Sequence, residues 1–71
     1  MILEAQEISK LIHNCDTDNL MGIAEHILGY EVFPEDVEDG GNSIIGECDF
    51  ILENFMPKKH ILKLHKQIFE N

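Results

Sequence analysis

Between Ile2 and Asn14 the apolar residues Ala5, Ile8, Leu11 and Ile12, then Cys15, recur at three- and four-residue steps, with Glu4, Glu7 and Lys10 between them. A helix of about 3.6 residues per turn brings such positions onto one face, so the spacing predicts an amphipathic helix. The cluster Asp16, Thr17, Asp18, Asn19 supplies capping side chains for a second helix, with the stripe Leu20, Ile23, Ala24, Ile27, Leu28 and a terminating Gly29. Ser43 is placed to cap a third helix, with Ile44, Ile45, Cys48, Ile51, Leu52 and Phe55 on one face and Glu47, Asp49 and Glu53 mostly off it. Pro57 ends or kinks that helix, because the residue before a proline disfavours helical torsions. A fourth helix takes Pro57 as its first position and runs through Ile61, Leu64, His65, Ile68 and Phe69. The expected fold is all-α, a small bundle of three to four short helices in one acidic domain over residues 1–71, with a structured acidic loop between helices 2 and 3.

That loop is Tyr30-Glu31-Val32-Phe33-Pro34-Glu35-Asp36-Val37-Glu38-Asp39-Gly40-Gly41-Asn42. Pro34 followed by acids and then paired glycines predicts a single helical turn, with carboxylates at its positive end and Gly40 stopping it. Tyr30, Val32, Phe33 and Val37 need cover from water, so some of them should fold back onto the bundle.

Charge divides the chain unevenly. Residues 1–57 hold 13 acids against Lys10 alone, a net of −12, whereas residues 58–71 hold Lys58, Lys59, Lys63 and Lys66 against Glu70, a net of +3. Glu31, Glu35, Asp36, Glu38, Asp39, Glu47, Asp49 and Glu53 follow one another with no lysine to interrupt them. Such a block costs self-repulsion, and it reads either as a solvated surface or as a face complementary to a basic protein. Lys58 and Lys59 stand at the start of helix 4 and Glu53 near the end of helix 3, both against the helix dipole; an exposed ion pair across Pro57 is the expected compensation.

With 71 residues, no Trp and two cysteines, burial must offset on the order of 100 kcal/mol of conformational entropy from a small core. Stability is expected to be modest or shared with a partner. The net charge of −9 disfavours direct contact with nucleic acid. No apolar run exceeds three residues, and Met1 to Lys10 carries Glu4 and Glu7 where a secretory leader is basic, so neither export nor a membrane span is expected. Cys15 and Cys48 are read as reduced cytoplasmic thiols.

Candidate chemistry is sparse. His13, Cys15, His26 and Cys48 are possible zinc ligands, yet none of the short spacings that pre-pair ligands is present, and both cysteines lie on apolar stripes. His60 and His65 stand about 140° apart around a helix and do not share a face. Asp36 to Glu47 outlines a calcium loop at its first, sixth and twelfth positions, but Gly40 at the fifth offers no ligand and Ser43 stands where an apolar residue is usual. A Gly-rich phosphate cradle, a G-x-S-x-G elbow and an H-E-x-x-H helix are all missing, so no catalysis, cofactor or metal is expected.

In size, acidity and helical pattern the chain resembles, as a class, small phage-encoded inhibitors such as anti-CRISPR proteins and the bacterial immunity proteins that neutralise nuclease toxins. No motif carries that resemblance and no residue is transferred by it. It implies a small acidic inhibitor that occludes a basic surface of a nuclease or nucleoprotein complex, acting as a monomer or homodimer. The expected partner-binding residues are Tyr30, Glu31, Phe33, Glu35, Asp36, Glu38, Asp39, Glu47, Asp49 and Glu53, with Tyr30 and Phe33 as apolar anchors. The alternative is a self-associating structural or regulatory helical module with no inhibitory activity, its basic fourth helix docking on the acidic body of a second copy.

Overall fold

A computed structural model describes residues 3–38 and 42–70. It contains α1 (Leu3–Asn14), α2 (Thr17–Leu28), a single 3₁₀ turn (Pro34–Asp36), α3 (Asn42–Asn54) and α4 (Lys58–Phe69), with no strand among the described residues. The protein is an all-α bundle, as the periodicity predicts.

Local chemistry sets the helix ends. Asp16 stands at the N-cap of α2 in extended conformation, and its Oδ1 accepts from the Asn19 amide at 2.9 Å. Gly29 closes the same helix with φ at +80°, a left-handed conformation that side chains with a Cβ resist, while its N–H donates to Glu25 O at 2.9 Å. At the end of α3 the Met56 amide reaches back to Ile51 O at 2.7 Å, which widens the last turn before Pro57. Pro57 lies just outside α4 with ψ at 146°, one residue earlier than its expected helical place, and its carbonyl accepts from the His60 and Ile61 amides. Ser43 also differs from expectation: the helix has begun by Asn42, so Ser43 lies within its first turn instead of capping it.

α1 is the common neighbour, packed against each of the other helices, and α2 packs most extensively on α3. The core is aliphatic throughout. Ala5, Ile8 and Ile12 of α1 meet Leu20, Ala24 and Ile27 of α2, Ile44, Ile45, Cys48 and Leu52 of α3, and Ile61 and Leu64 of α4. Of the four apolar side chains after Gly29, Val32 and Val37 are buried, whereas Tyr30 and Phe33 stay exposed. The Val32 amide is held by Glu25 Oε2 at 3.2 Å, and the Pro34 turn closes with Asp36 Oδ2 accepting from the Phe33 amide at 2.9 Å. Asp39 and the expected stop at Gly40 fall outside the described residues.

Two aromatic residues leave the stripes assigned to them. Phe55 follows the last turn of α3 and is 68% exposed, because the wide turn that places Met56 against the core swings Phe55 away from it. Phe69 is partly exposed and stacks on His65, with ring centroids 4.5 Å apart.

Candidate functional site

The core contains no aromatic ring, and all five aromatic residues are between 45% and 68% exposed. Folding normally recruits phenylalanine to the interior, since each ring removes a large apolar area from water. Here four of the five, Tyr30, Phe33, Phe50 and Phe55, stand in the lysine-free acidic part of the chain.

Three of these belong to one face. The outer side of α3 carries Ser43, Gly46, Glu47, Phe50, Glu53 and Asn54, all exposed and spaced to lie along one side of the helix. Tyr30 reaches this face from the end of α2, and its hydroxyl donates to Glu47 Oε2 at 3.0 Å. The hydrogen bond and the carboxylate charge together raise the Tyr30 pKa above its ordinary value. Phe50 packs on Phe55 with ring centroids 5.2 Å apart and planes tilted by 55°. Leu28, Tyr30, Gly46, Glu47, Phe50 and Ile51 enclose a shallow, largely apolar groove of about 300 Å³. Gly46 forms part of its floor, and a Cβ added there would meet nothing within 4 Å. Internal packing therefore gives no reason for a glycine in the middle of this helix.

The remaining expected contact residues are distributed unevenly. Glu31, Glu35, Glu38 and Glu53 are exposed and project from the loop and α3. Asp36 is exposed, but its carboxylate is occupied in closing its own turn. Asp49 turns inward to α1: Oδ1 accepts from Ser9 Oγ at 2.6 Å, and Oδ2 lies 2.8 Å from His13 Nε2. With the carboxylate in the middle, Ser9 and His13 both bond Asp49, so this trio ties α1 to α3. Phe50, Phe55, Leu28 and Gly46 join the face although their positions had not suggested it. The signal for Phe50 was its place off the apolar stripe, three residues before Glu53 and three after Glu47.

The possible metal ligands are occupied or apart. Among the described residues no three His, Cys, Asp or Glu side chains converge on a cation site. His13 is engaged by Asp49, and Cys48 is fully buried with its thiol pushed up to about 11 by desolvation. Cys15 is half-buried, with its pKa raised for the same reason, and both cysteines are free thiols.

Charge placement separates the two sides of the molecule. Among the described residues the carboxylates within 4 Å of a basic side chain contact histidines, Asp49 with His13 and Glu7 with His65, and none contacts a lysine. The pair expected between Glu53 and Lys58 or Lys59 does not form: neither lysine lies within 4 Å of the Glu53 carboxylate. No described helix is long and apolar enough to cross a membrane. Comparison of the chain with protein-family models, curated proteins and solved structures gives no match, so the geometry of this face is what bears on function.

Proposed function

We propose that the protein is a small acidic binding inhibitor that occludes a basic surface of a partner, the nucleic-acid channel of a nuclease or nucleoprotein complex, in the cytoplasm. The observation that carries this reading is the exposed cluster of Tyr30, Phe50 and Phe55 set among Glu31, Glu47 and Glu53, all within the stretch 11–57 that holds no lysine. Aromatic side chains are the usual anchors of protein interfaces, and carboxylates around them select a partner rich in lysine and arginine. The carboxylates stand in for phosphates and steer encounter, while the rings and the groove over Gly46 supply the apolar contact that slows dissociation. Anti-CRISPR and nuclease-immunity proteins are the class with this chemistry; the assignment to it rests on surface character alone.

The test is displacement of a fluorescent oligonucleotide from a panel of basic nucleases and nucleoproteins. Wild-type protein is expected to displace it from at least one of them, steeply less well as salt rises. A variant with Glu35, Glu38, Glu47 and Glu53 changed to Lys is expected to lose that effect while keeping its helical melt. Asp36 is left in place because it closes the Pro34 turn. Equal displacement by the reversed variant removes the mimicry.

A further inference from the structure

The outer side of α4 is built on the same plan as the Tyr30–Phe50–Phe55 face, with the charge inverted. Lys58, Leu62, Lys66 and Phe69 follow one another at helical spacing along its exposed side, with Lys59 beside them. Leu62 and Phe69 are large apolar side chains left open to water. Phe69 also lines a recess together with Glu7, Lys10, Leu11 and Asn14 of α1, so the fifth lysine of the chain borders the same region, with Glu7 as its one carboxylate. Lys58 and Lys59 occupy the first turn of α4, the positive end of its dipole, where cations are disfavoured, and among the described residues no carboxylate lies within 4 Å of either. Lysines held at such a cost to the helix are explained by a negative surface supplied from outside.

A surface of that description exists on the same chain. The face of α3 offers aromatic side chains fringed by Glu47 and Glu53, and among the described residues no basic side chain lies within 4 Å of either glutamate's carboxylate. The two faces cannot meet within one molecule. Each is the outer side of a helix whose inner side is committed to the core, through Ile44, Ile45, Cys48 and Leu52 in one case and Ile61 and Leu64 in the other.

We propose that the Leu62–Phe69 lysine face of one copy docks on the Tyr30–Phe50–Phe55 glutamate face of a second copy. The surfaces are complementary and different, so the contact builds either a closed two-fold dimer, in which it forms twice, or a head-to-tail array. This proposal rests on the inhibitor reading in that both use the acidic aromatic face. Self-association then covers the inhibitory surface, and a basic partner must displace the second copy to bind.

Sedimentation of the full chain at rising concentration, in low and in high salt, reads the association directly. Oligomers at low salt that dissociate at high salt are expected. Glu47→Lys with Glu53→Lys disables one face, and Lys59→Glu with Lys66→Glu disables the other. Each double variant alone is expected to sediment as a monomer with an unchanged circular dichroism melt, while an equimolar mixture of the two, in which each face again meets one of opposite charge, associates. A wild type that stays monomeric at every concentration and salt overturns the proposal, as does a mixture that fails to pair. The Lys59→Glu, Lys66→Glu variant retains the acidic face, so its displacement of oligonucleotide from a basic partner tests the inhibitor reading separately. Inhibition by that variant without self-association in the wild type ends this proposal alone, and self-association without inhibition ends only the other.

Discussion

Asp49 of α3 holds His13 of α1, Oδ2 to Nε2 at 2.8 Å, while its other oxygen accepts from Ser9 at 2.6 Å. One carboxylate from the acidic block is thus committed to holding two helices together. Replacing Asp49 by Ala removes both bonds and leaves the part-buried Ser9 hydroxyl without its acceptor. The expected loss is about 1–3 kcal/mol, read as a lower midpoint in urea with little change in slope. Asn at this position keeps one acceptor and should cost less. An Asp49→Ala melt equal to wild type would show the clamp to be energetically idle.

Leu52 and Ile51 are adjacent apolar residues of α3 with unequal burial. Leu52 belongs to the core and Ile51 lies at its edge, lining the groove. Leu52→Ala should cost about 2–5 kcal/mol, enough to unfold much of a domain this small, whereas Ile51→Ala should cost distinctly less. Equal losses from the two in a chemical denaturation series would contradict this packing.

Two glycines should respond oppositely to alanine. At Gly29 the φ of +80° makes a Cβ costly, by roughly 1–2 kcal/mol. At Gly46 a Cβ meets nothing, so Gly46→Ala should raise stability by about 0.5–1 kcal/mol through helix propensity. The same methyl group raises the floor of the groove. A more stable variant with a faster dissociation rate from its partner is therefore expected, and a stabilised variant with unchanged binding would exclude the groove from the contact.

Alkaline stability depends on Cys48. Its thiol is raised from an ordinary 9.0 to about 11 in the folded protein by burial, with Asp49 and Glu47 adding their charge. The unfolded chain loses this proton first, so unfolding releases a proton between those values. Stability is full below about pH 9 and falls as pH rises toward 11. Cys48→Ala should flatten that part of a pH–melting profile, and a thiol reagent should label native Cys48 only through unfolding. Rapid labelling of both cysteines under native conditions would contradict the burial.

The four helices were legible because apolar residues at three- and four-residue steps record which side of each helix is dry. Boundaries were legible where a residue has one physical role, as at Asp16, Gly29 and Pro57. Other features depend on neighbours distant in the chain. That Asp49 turns inward follows from α1 lying across α3 with Ser9 and His13 in reach, and spacing along α3 cannot report it. Tyr30 and Phe33 are no less apolar in pattern than Val32 and Val37, yet the bundle covers the valines and leaves the rings outside. Phe55 was assigned to a stripe that the helix end cuts off. Phe50 lies on the wet side of α3, where the period of the buried stripe carries no information about it.

An interior made only of aliphatic side chains also leaves the protein optically silent where most proteins report their folding. With no Trp and one Tyr, the chief near-ultraviolet chromophore is Tyr30, which stands on the surface with its hydroxyl bonded to Glu47. Under native conditions tyrosine emission and near-ultraviolet dichroism should therefore respond to the occupancy of the acidic face while backbone dichroism stays constant; unfolding, which breaks the Tyr30–Glu47 bond, should change both. The two signals separate docking from folding in a single unlabelled sample.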